Sequence, residues 1–457
     1  MTEAADSTRR TELLARLSAM TEGHNQIPPH LYQMFNVKRG LRNADGTGVL
    51  VGLTSIGDVH GYIIDENEKV PVEGRLFYRG YDVADLVDGI KSENRFGFEE
   101  VCYLLLFGEL PNRKALDDFS DLLGYYRRLP ENFTEDMILK NPSQSIMNKL
   151  ARAVLSCYSY DDAPDDLSIA NVTRQSVELI ARFPTMVAYG YQALCRYFRE
   201  QSLVLHDPDP ELGTAENFLK MIRSDARFTR LEAEILDLLL VLHAEHGGGN
   251  NSAFTVHVVT SSATDTYSAI ASAVGSLKGN KHGGASLHVA EMMSDLKRQV
   301  ADWSNESKVR DYLRLVLEKK AADGSGLIYG MGHAVYTLSD PRAVLLKKKA
   351  AELAEEKGAQ DEFALYDLVE RLAPQVFQEA RGTAQPLCAN VDFYSGFVYQ
   401  MLGLDRSLYT PLFAIGRVPG WCAHRLQEAV GGSRIIRPAY KNIVRRAAYV
   451  PMSDRPE

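Results

Sequence analysis

Histidine, aspartate and arginine recur in this sequence beside runs of glycine, a pattern that suits chemistry on a small anion. Three histidine segments stand out: HAEHGGGNNSAFTVH with His243, His246 and His257, LKGNKHGGAS with His282, and the stretch Leu327–Arg342 with His333. The last opens on a glycine-rich loop, where backbone can run close to a ligand, and closes on Ser339-Asp340-Pro341-Arg342. Asp340 suits a helix N-cap and Pro341 the first helical position. Arg342 then falls in a first helical turn, where free N–H groups also favour anions. The same segment also fits a plain loop and capped helix with a solvated arginine.

His282 lies between Lys281 and two glycines, just before a helix. A helix start favours the neutral imidazole, which can donate a hydrogen bond to a developing oxyanion. A surface-loop histidine is the plainer reading. Asp392 in ANVDFYSGFVYQMLG suits a helix N-cap, and a simple cap competes there with a catalytic base. Arg417 in PLFAIGRVPGW follows an apolar run, a costly place unless it meets a carboxylate. A metal site would use His243, His246 and His257, but neither HExxH nor a nearby cysteine pair is present. The alternative is a pair of histidines bonding the last carbonyls of a helix that ends at Gly247. No segment fits G-x-x-x-x-G-K-[ST], and Gly330-Met331-Gly332 follows no strand pattern, so nucleotide hydrolysis and dinucleotide binding are discounted.

The whole chain bounds these readings. It has 457 residues, 45% hydrophobic and 24% charged, which suits a globular enzyme of more than one domain. A net charge of −9 argues against nucleic acid as a partner. The five cysteines are scattered and odd in number, against a disulfide framework. No run approaches the roughly 20 apolar residues of a membrane helix. The opening MTEAADSTRR has early acidic residues and no apolar run, unlike a signal or transit peptide. A cytoplasmic location is expected, with no membrane partner.

Helical spacing predicts helices over 115–128, 145–158, 169–204, 214–222, 228–245, 266–278, 284–299, 307–321, 340–357, 361–380, 392–402 and 418–430. Phe98–Asn112 reads as a short buried helix, and residues 9–34 as a surface helix and loop. Val49–Ile64 is the one good strand region, with a turn at Gly57-Asp58. The fold class is all-α with a minor β-hairpin near the N-terminus; no βαβ pattern suggests a Rossmann sheet. A basic segment follows Glu428, with Arg434, Arg437, Lys441, Arg445 and Arg446, and reads mostly as a solvated face.

These segments occur together and in order. GRLFYRGYD, FEEVCYLLLFGELP, HAEHGGGNNSAFT, KHGGAS, GMGHAVY with DPR, NVDFYSG, FAIGRVPGW and RIIRPAY span roughly residues 50 to 440, and in them the chain resembles the citrate synthase family. The resemblance implies a two-domain all-α homodimer: a large domain from residues 1–281 and 401–457, and a small domain from 282–400. It implies condensation of acetyl-CoA with oxaloacetate and thioester hydrolysis to citrate and CoA, with no metal or redox cofactor. Asp392 matches the general base, His282 the donor to the thioester oxygen, and His333 the acid toward the oxaloacetate carbonyl. His246, Arg342 and Arg417 match oxaloacetate contacts, and Arg437 the arginine that reaches the partner's site. Leu327, Ile328, Gly330 and Gly332 match the loop that meets the CoA adenine. Family basic positions are occupied by Thr337 and Gln385, and Gly247 stands where some relatives have Glu. Lys347, Lys348 and Lys349 are read as a solvated helix face. The alternatives are a 2-methylcitrate synthase using propionyl-CoA, a citryl-CoA-cleaving relative, a metal-binding helical protein, and a binding protein without catalysis.

Overall fold

The computed structural model describes residues 3–43, 45–66, 68–382, 386–432 and 434–455. Among them are seventeen α-helices and one three-stranded antiparallel sheet, so the chain is all-α with a minor hairpin. Residues 1–53 and 54–457 form separate compact units. The first holds α1 (Glu3–His24) and α2 (Pro29–Met34), and leaves Leu14, Met20 and Met34 more than half exposed.

In the second unit the sheet comes first: β1 (Gly57–Asp65), β2 (Glu68–Tyr78) and β3 (Tyr81–Asp82). The sequence puts a turn at Gly57-Asp58, but these residues start β1, paired with Tyr78 and Phe77. The chain reverses instead near Glu66, whose φ is 47°. Alternation within one strand could not reveal a register set by pairing with β2.

The helices follow: α3 (Val83–Ser92), α4 (Phe98–Phe107), α5 (Arg113–Tyr126), α6 (Ile146–Cys157), α7 (Ile169–Phe198), α8 (Thr214–Ile222), α9 (Arg230–His243), α10 (Asn251–Thr260), α11 (Thr266–Leu277), α12 (Ala285–Gln299), α13 (Glu306–Leu317), α14 (Pro341–Lys357), α15 (Gln360–Arg381), α16 (Val391–Met401) and α17 (Tyr409–Gly431). Sequence spacing misses α3 and α10, and finds only the second half of α17. In α10, polar Asn, Ser, Thr and His residues blur the apolar stripe. In α17, Pro411 and Pro419 argue against a helix, yet Tyr409 through Arg425 are almost all buried and tertiary packing outweighs propensity.

Two helices frame the centre. α9 is buried nearly all round, and its buried Asp237 caps α4 by accepting the N–H groups of Gly97 and Phe98 at 2.7 and 3.1 Å. Burial pushes the Asp237 carboxyl up to about 8. α17 crosses the end of α9 so closely that glycine is required. A Cβ on Gly416 would lie 2.8 Å from His243 Cβ, and one on Gly420 would lie 2.3 Å from the Ala244 carbonyl. The hairpin presses equally closely on the loop before α14. A Cβ on Gly74 would meet the Ser339 carbonyl at 2.1 Å, and one on Gly61 the Val335 carbonyl at 2.8 Å.

Candidate active site

The His333 loop is stitched to the start of α16. Gly332 N–H donates to the Cys388 carbonyl at 2.7 Å, and Asn390 N–H to the Gly330 carbonyl at 2.8 Å. Asn390 Nδ2 adds a bond to the Gly332 carbonyl at 2.9 Å. Gly330 has φ +78°, and a Cβ there would lie 2.8 Å from Phe393 Cβ. The cap of α16 is Asn390, whose Oδ1 accepts the Asp392 N–H at 3.0 Å. The sequence assigns that cap to Asp392; the structure places Asp392 inside the first turn, its carboxylate relieved of capping. Ile328 is buried and Leu327 is 49% exposed.

α14 begins as expected, with Asp340 as cap and Pro341 at its first position. Asp340 does more than cap. It accepts Arg342 N–H and Nε at 3.0 Å each, Arg342 Nη2 at 2.7 Å, and the Val391 N–H at 3.3 Å. Asp340 and Arg342 are both buried. One carboxylate thus binds the starts of α14 and α16 together and sets Arg342 beside Asp392.

α9 ends at His243 rather than Gly247, so His246 lies beyond the helix. Tyr78 of β2 holds this turn, its hydroxyl donating to the Val241 carbonyl at 2.9 Å. The His246 ring meets the His333 ring edge-on, centroids 5.1 Å apart, and His333 stacks on Tyr336 at 4.8 Å. His333 Nδ1 accepts the N–H groups of Val335 and Tyr336 at 3.1 Å each, which assigns the ring proton of neutral His333 to Nε2. His243 does not bond the helix carbonyls: it stacks on Phe413 at 4.3 Å, and its Nδ1 has no partner. Arg417 is fully buried, donates Nε to the His243 carbonyl, and leaves Nη1 and Nη2 without a partner.

Burial dominates the electrostatics. It raises the Asp392 carboxyl to about 6, with Asp340 adding to the rise and Arg342 and Arg417 opposing it. Burial and the Arg417 charge bring His282 down to about 4. Burial, Arg342 and His333 hold His246 well below the usual imidazole range. Burial brings Arg417 down to about 10, against the pull of Glu245. The site therefore offers neutral imidazoles, an anion-seeking guanidinium and a carboxylate poised near neutrality, a set suited to proton abstraction beside a bound anion. His282 Nε2 lies 3.0 Å from Ser252 Oγ, which also accepts Trp421 Nε1–H at 3.0 Å.

Arg417 acts on His246, His282 and Asp392 alike, Arg342 on His246 and Asp392, and His333 on His246. His257 does not join them; it bonds Glu428 and His424, so the first-segment histidines do not converge on a metal. Among the described residues no group of three or more His, Cys, Asp or Glu has metal-holding geometry. Arg437 lies exposed on irregular backbone after α17, outside this chain's own cluster. Lys347 and Lys349 are not a solvated face: Lys347 pairs with Asp367 and Glu370, and Lys349 with Glu234 and Glu352. Thr337 Oγ1 is buried without a partner, and Gln385 lies outside the described residues. Sequence reading missed Tyr336, Ser252 and Glu245; only their neighbours in the histidine motifs signal them.

The family model for the citrate synthase C-terminal domain matches residues 43–439. Citrate synthase of Corynebacterium glutamicum is 35% identical over 372 residues, 80% of this chain and 79% of that protein. Citrate synthase of Haloferax volcanii is 34% identical, over 88% of this chain and 94% of that protein. A 2-methylcitrate synthase of C. glutamicum is 33% identical, over 92% and 98%. The crystal structure of citrate synthase from Pyrobaculum aerophilum superposes with a TM-score of 0.71 at 30% identity, covering 89% of this chain and 94% of that one. With the family match over residues 43–439, these relatives and the fold in agreement, the chain belongs to the citrate synthase family of acyl-transferring enzymes.

Proposed function

We propose that this chain makes citrate by condensing acetyl-CoA with oxaloacetate, and that the clustered residues divide the work as follows. Asp392 takes a proton from the acetyl methyl group. His282, neutral, donates to the thioester oxygen as the enolate forms. His333 gives its Nε2 proton to the oxaloacetate carbonyl as the carbon–carbon bond closes. Arg342, Arg417 and His246 hold the oxaloacetate, and water then cleaves the citryl thioester to release CoA. Leu327, Ile328, Gly330 and Gly332 form the edge that meets the CoA adenine. The chemistry calls on no metal or redox cofactor.

The observation that carries this reading is Arg417, fully buried with both Nη atoms unpartnered. A buried guanidinium with two free donors matches a carboxylate bidentately. A solved archaeal relative, citrate synthase of Thermoplasma acidophilum, is a ternary complex with carboxymethyl coenzyme A and oxaloacetate. We further infer a homodimer in which Arg437 reaches the partner's site, consistent with its exposure after the last long helix. Residues 282–400 close as a small domain over 1–281 and 401–457, excluding water until the bond is made. No helix among the described residues is long and apolar enough to cross a membrane, which fits a cytoplasmic enzyme.

Free thiol released on mixing protein, oxaloacetate and acetyl-CoA tests the proposal. Fast release, abolished by Asp392→Ala, is expected; no release from a folded protein with either acyl-CoA would sink it. The C. glutamicum 2-methylcitrate synthase keeps a second reading in play. One methylene is worth only about 1–3 kcal/mol in a pocket, so a strong preference for propionyl-CoA would move the assignment while keeping the residues.

A further inference from the structure

Four side chains behind the site form a hydrogen-bonded row. Glu428 Oε2 lies 2.7 Å from His257 Nδ1, His257 Nε2 lies 3.0 Å from His424 Nδ1, and His424 Nε2 lies 3.0 Å from Glu245 Oε1. On α17, Arg417, His424 and Glu428 follow at intervals of seven and four and share a face. His257 reaches across from α10, and Glu245 comes from the turn after α9. The His424 and Glu245 side chains are 0% exposed, those of His257 and Glu428 13% and 12%. Glycine walls the slot. A Cβ on Gly248 would lie 3.3 Å from His424 Cε1, one on Gly420 2.5 Å from Glu245 Oε2, and one on Gly57 2.7 Å from Glu245 Cγ.

Each of the three contacts needs a proton between its heavy atoms. Two neutral imidazoles supply two. With Glu245 as the anionic end, the third lies between Glu428 and His257, so that His257 Nε2–H donates to His424, His424 Nε2–H donates to Glu245, and the row carries one net negative charge. Burial pushes Glu245 up, but His424 and Arg417 bring it to rest below the usual carboxylate range. Burial and His424 lower His257 while Glu428 opposes them. Glu245 Oε2 has no hydrogen-bond partner, and neither has either Nη atom of Arg417. After burial, Glu245 is the strongest influence on Arg417. Tyr78 and Arg79 face the same end of the row, and each feels the Glu245 charge.

We propose that Glu428, His257 and His424 are positioning residues for substrate binding. They hold Glu245 as a fixed anion behind Arg417, which keeps the guanidinium charged and aimed at a substrate carboxylate. This rests on the reading of Arg417 as an oxaloacetate contact.

The test compares the full chain with E428Q, E428A and R417Q, following oxaloacetate KM and kcat against pH at saturating acetyl-CoA. Histidine 15N spectra of the substrate-free protein report the ring protons. The amide of E428Q can donate to His257 Nδ1, preserving the order of donors while removing the titrating proton. E428A leaves that nitrogen without a donor. The unsubstituted chain is expected to show one ionisation in KM that kcat lacks. E428Q loses it, and E428A raises KM about five-fold, the worth of one net hydrogen bond, with a smaller change in kcat. Identical KM profiles in all forms, or equal losses in kcat and kcat/KM from E428A with a lowered Tm, would overturn the proposal. If R417Q leaves oxaloacetate KM unchanged, the reading of Arg417 has failed; if R417Q raises it and the Glu428 variants do nothing, only the row's role has failed.

Discussion

Asp340 grips Arg342 through both carboxylate oxygens, Oδ1 to Nε at 3.0 Å and Oδ2 to Nη2 at 2.7 Å, with neither residue open to solvent. Arg417 has no such carboxylate grip. The two arginines proposed to hold oxaloacetate therefore respond unequally to substitution. Arg342→Gln strands a buried carboxylate at the joint of α14 and α16, and should cost about 3–5 kcal/mol of stability. Arg417→Gln breaks no carboxylate hydrogen bond, although it removes the charge facing Glu245, and should cost less stability while sharply raising oxaloacetate KM. Denaturant melts beside steady-state kinetics check this; equal destabilisation by both would refute it.

Asp392 has a pKa of about 6 in the fold against an ordinary value of 3.8. Stability linked to this group is fully present below the unfolded value and is lost as pH rises through the folded one. Asp392→Asn should therefore stabilise the protein by about 2–3 kcal/mol above pH 6, an advantage that vanishes near pH 4. Activity should fall about 10²–10⁴-fold. In the unsubstituted enzyme, kcat/KM should decline as pH drops through about 6. Urea titrations at several pH values, with a pH–rate profile, measure all three.

Ser252 has one proton and two candidates for it, Asn250 Oδ1 at 2.9 Å and His282 Nε2 at 3.0 Å. If it goes to His282, the imidazole keeps its own proton on Nδ1, the tautomer the proposed donor role uses. Ser252→Ala should then lower kcat about 10-fold or more by releasing the tautomer, with little effect on oxaloacetate KM. A 15N spectrum showing the same His282 tautomer in both proteins would count against it.

Gly330 combines a φ of +78° with a 2.8 Å approach to Phe393. Gly330→Ala should cost about 2–4 kcal/mol through backbone strain and overpacking. It should also weaken kcat, because the same backbone is bonded to Asn390 ahead of Asp392. A thermal melt unchanged within error would contradict this.

Much of this was legible beforehand because the chemistry is written in local motifs. Asp340-Pro341 announces a helix start, and His282, His333 and Asp392 each sit in a short segment whose glycines fix their surroundings. What sequence spacing could not reveal arises between distant segments. Asn390 outcompetes Asp392 for the cap because the His333 loop folds back onto it. The Glu428 row joins two residues of α17 to one of α10 and one of the turn after α9, and no short window along the chain contains it. α17 was half hidden because its prolines carry a local message that burial overrules.

The close seats of Gly61 and Gly74 against Val335 and Ser339 have a mechanical consequence. With no methyl group between them, hairpin and loop leave no slack, and a displacement of one is imposed on the other. The stiffness of the backbone carrying His333 is thus borrowed from an abutment of strands that lies outside the proposed catalytic set. Softening that sheet would blur the aim of His333 without touching a single reacting group.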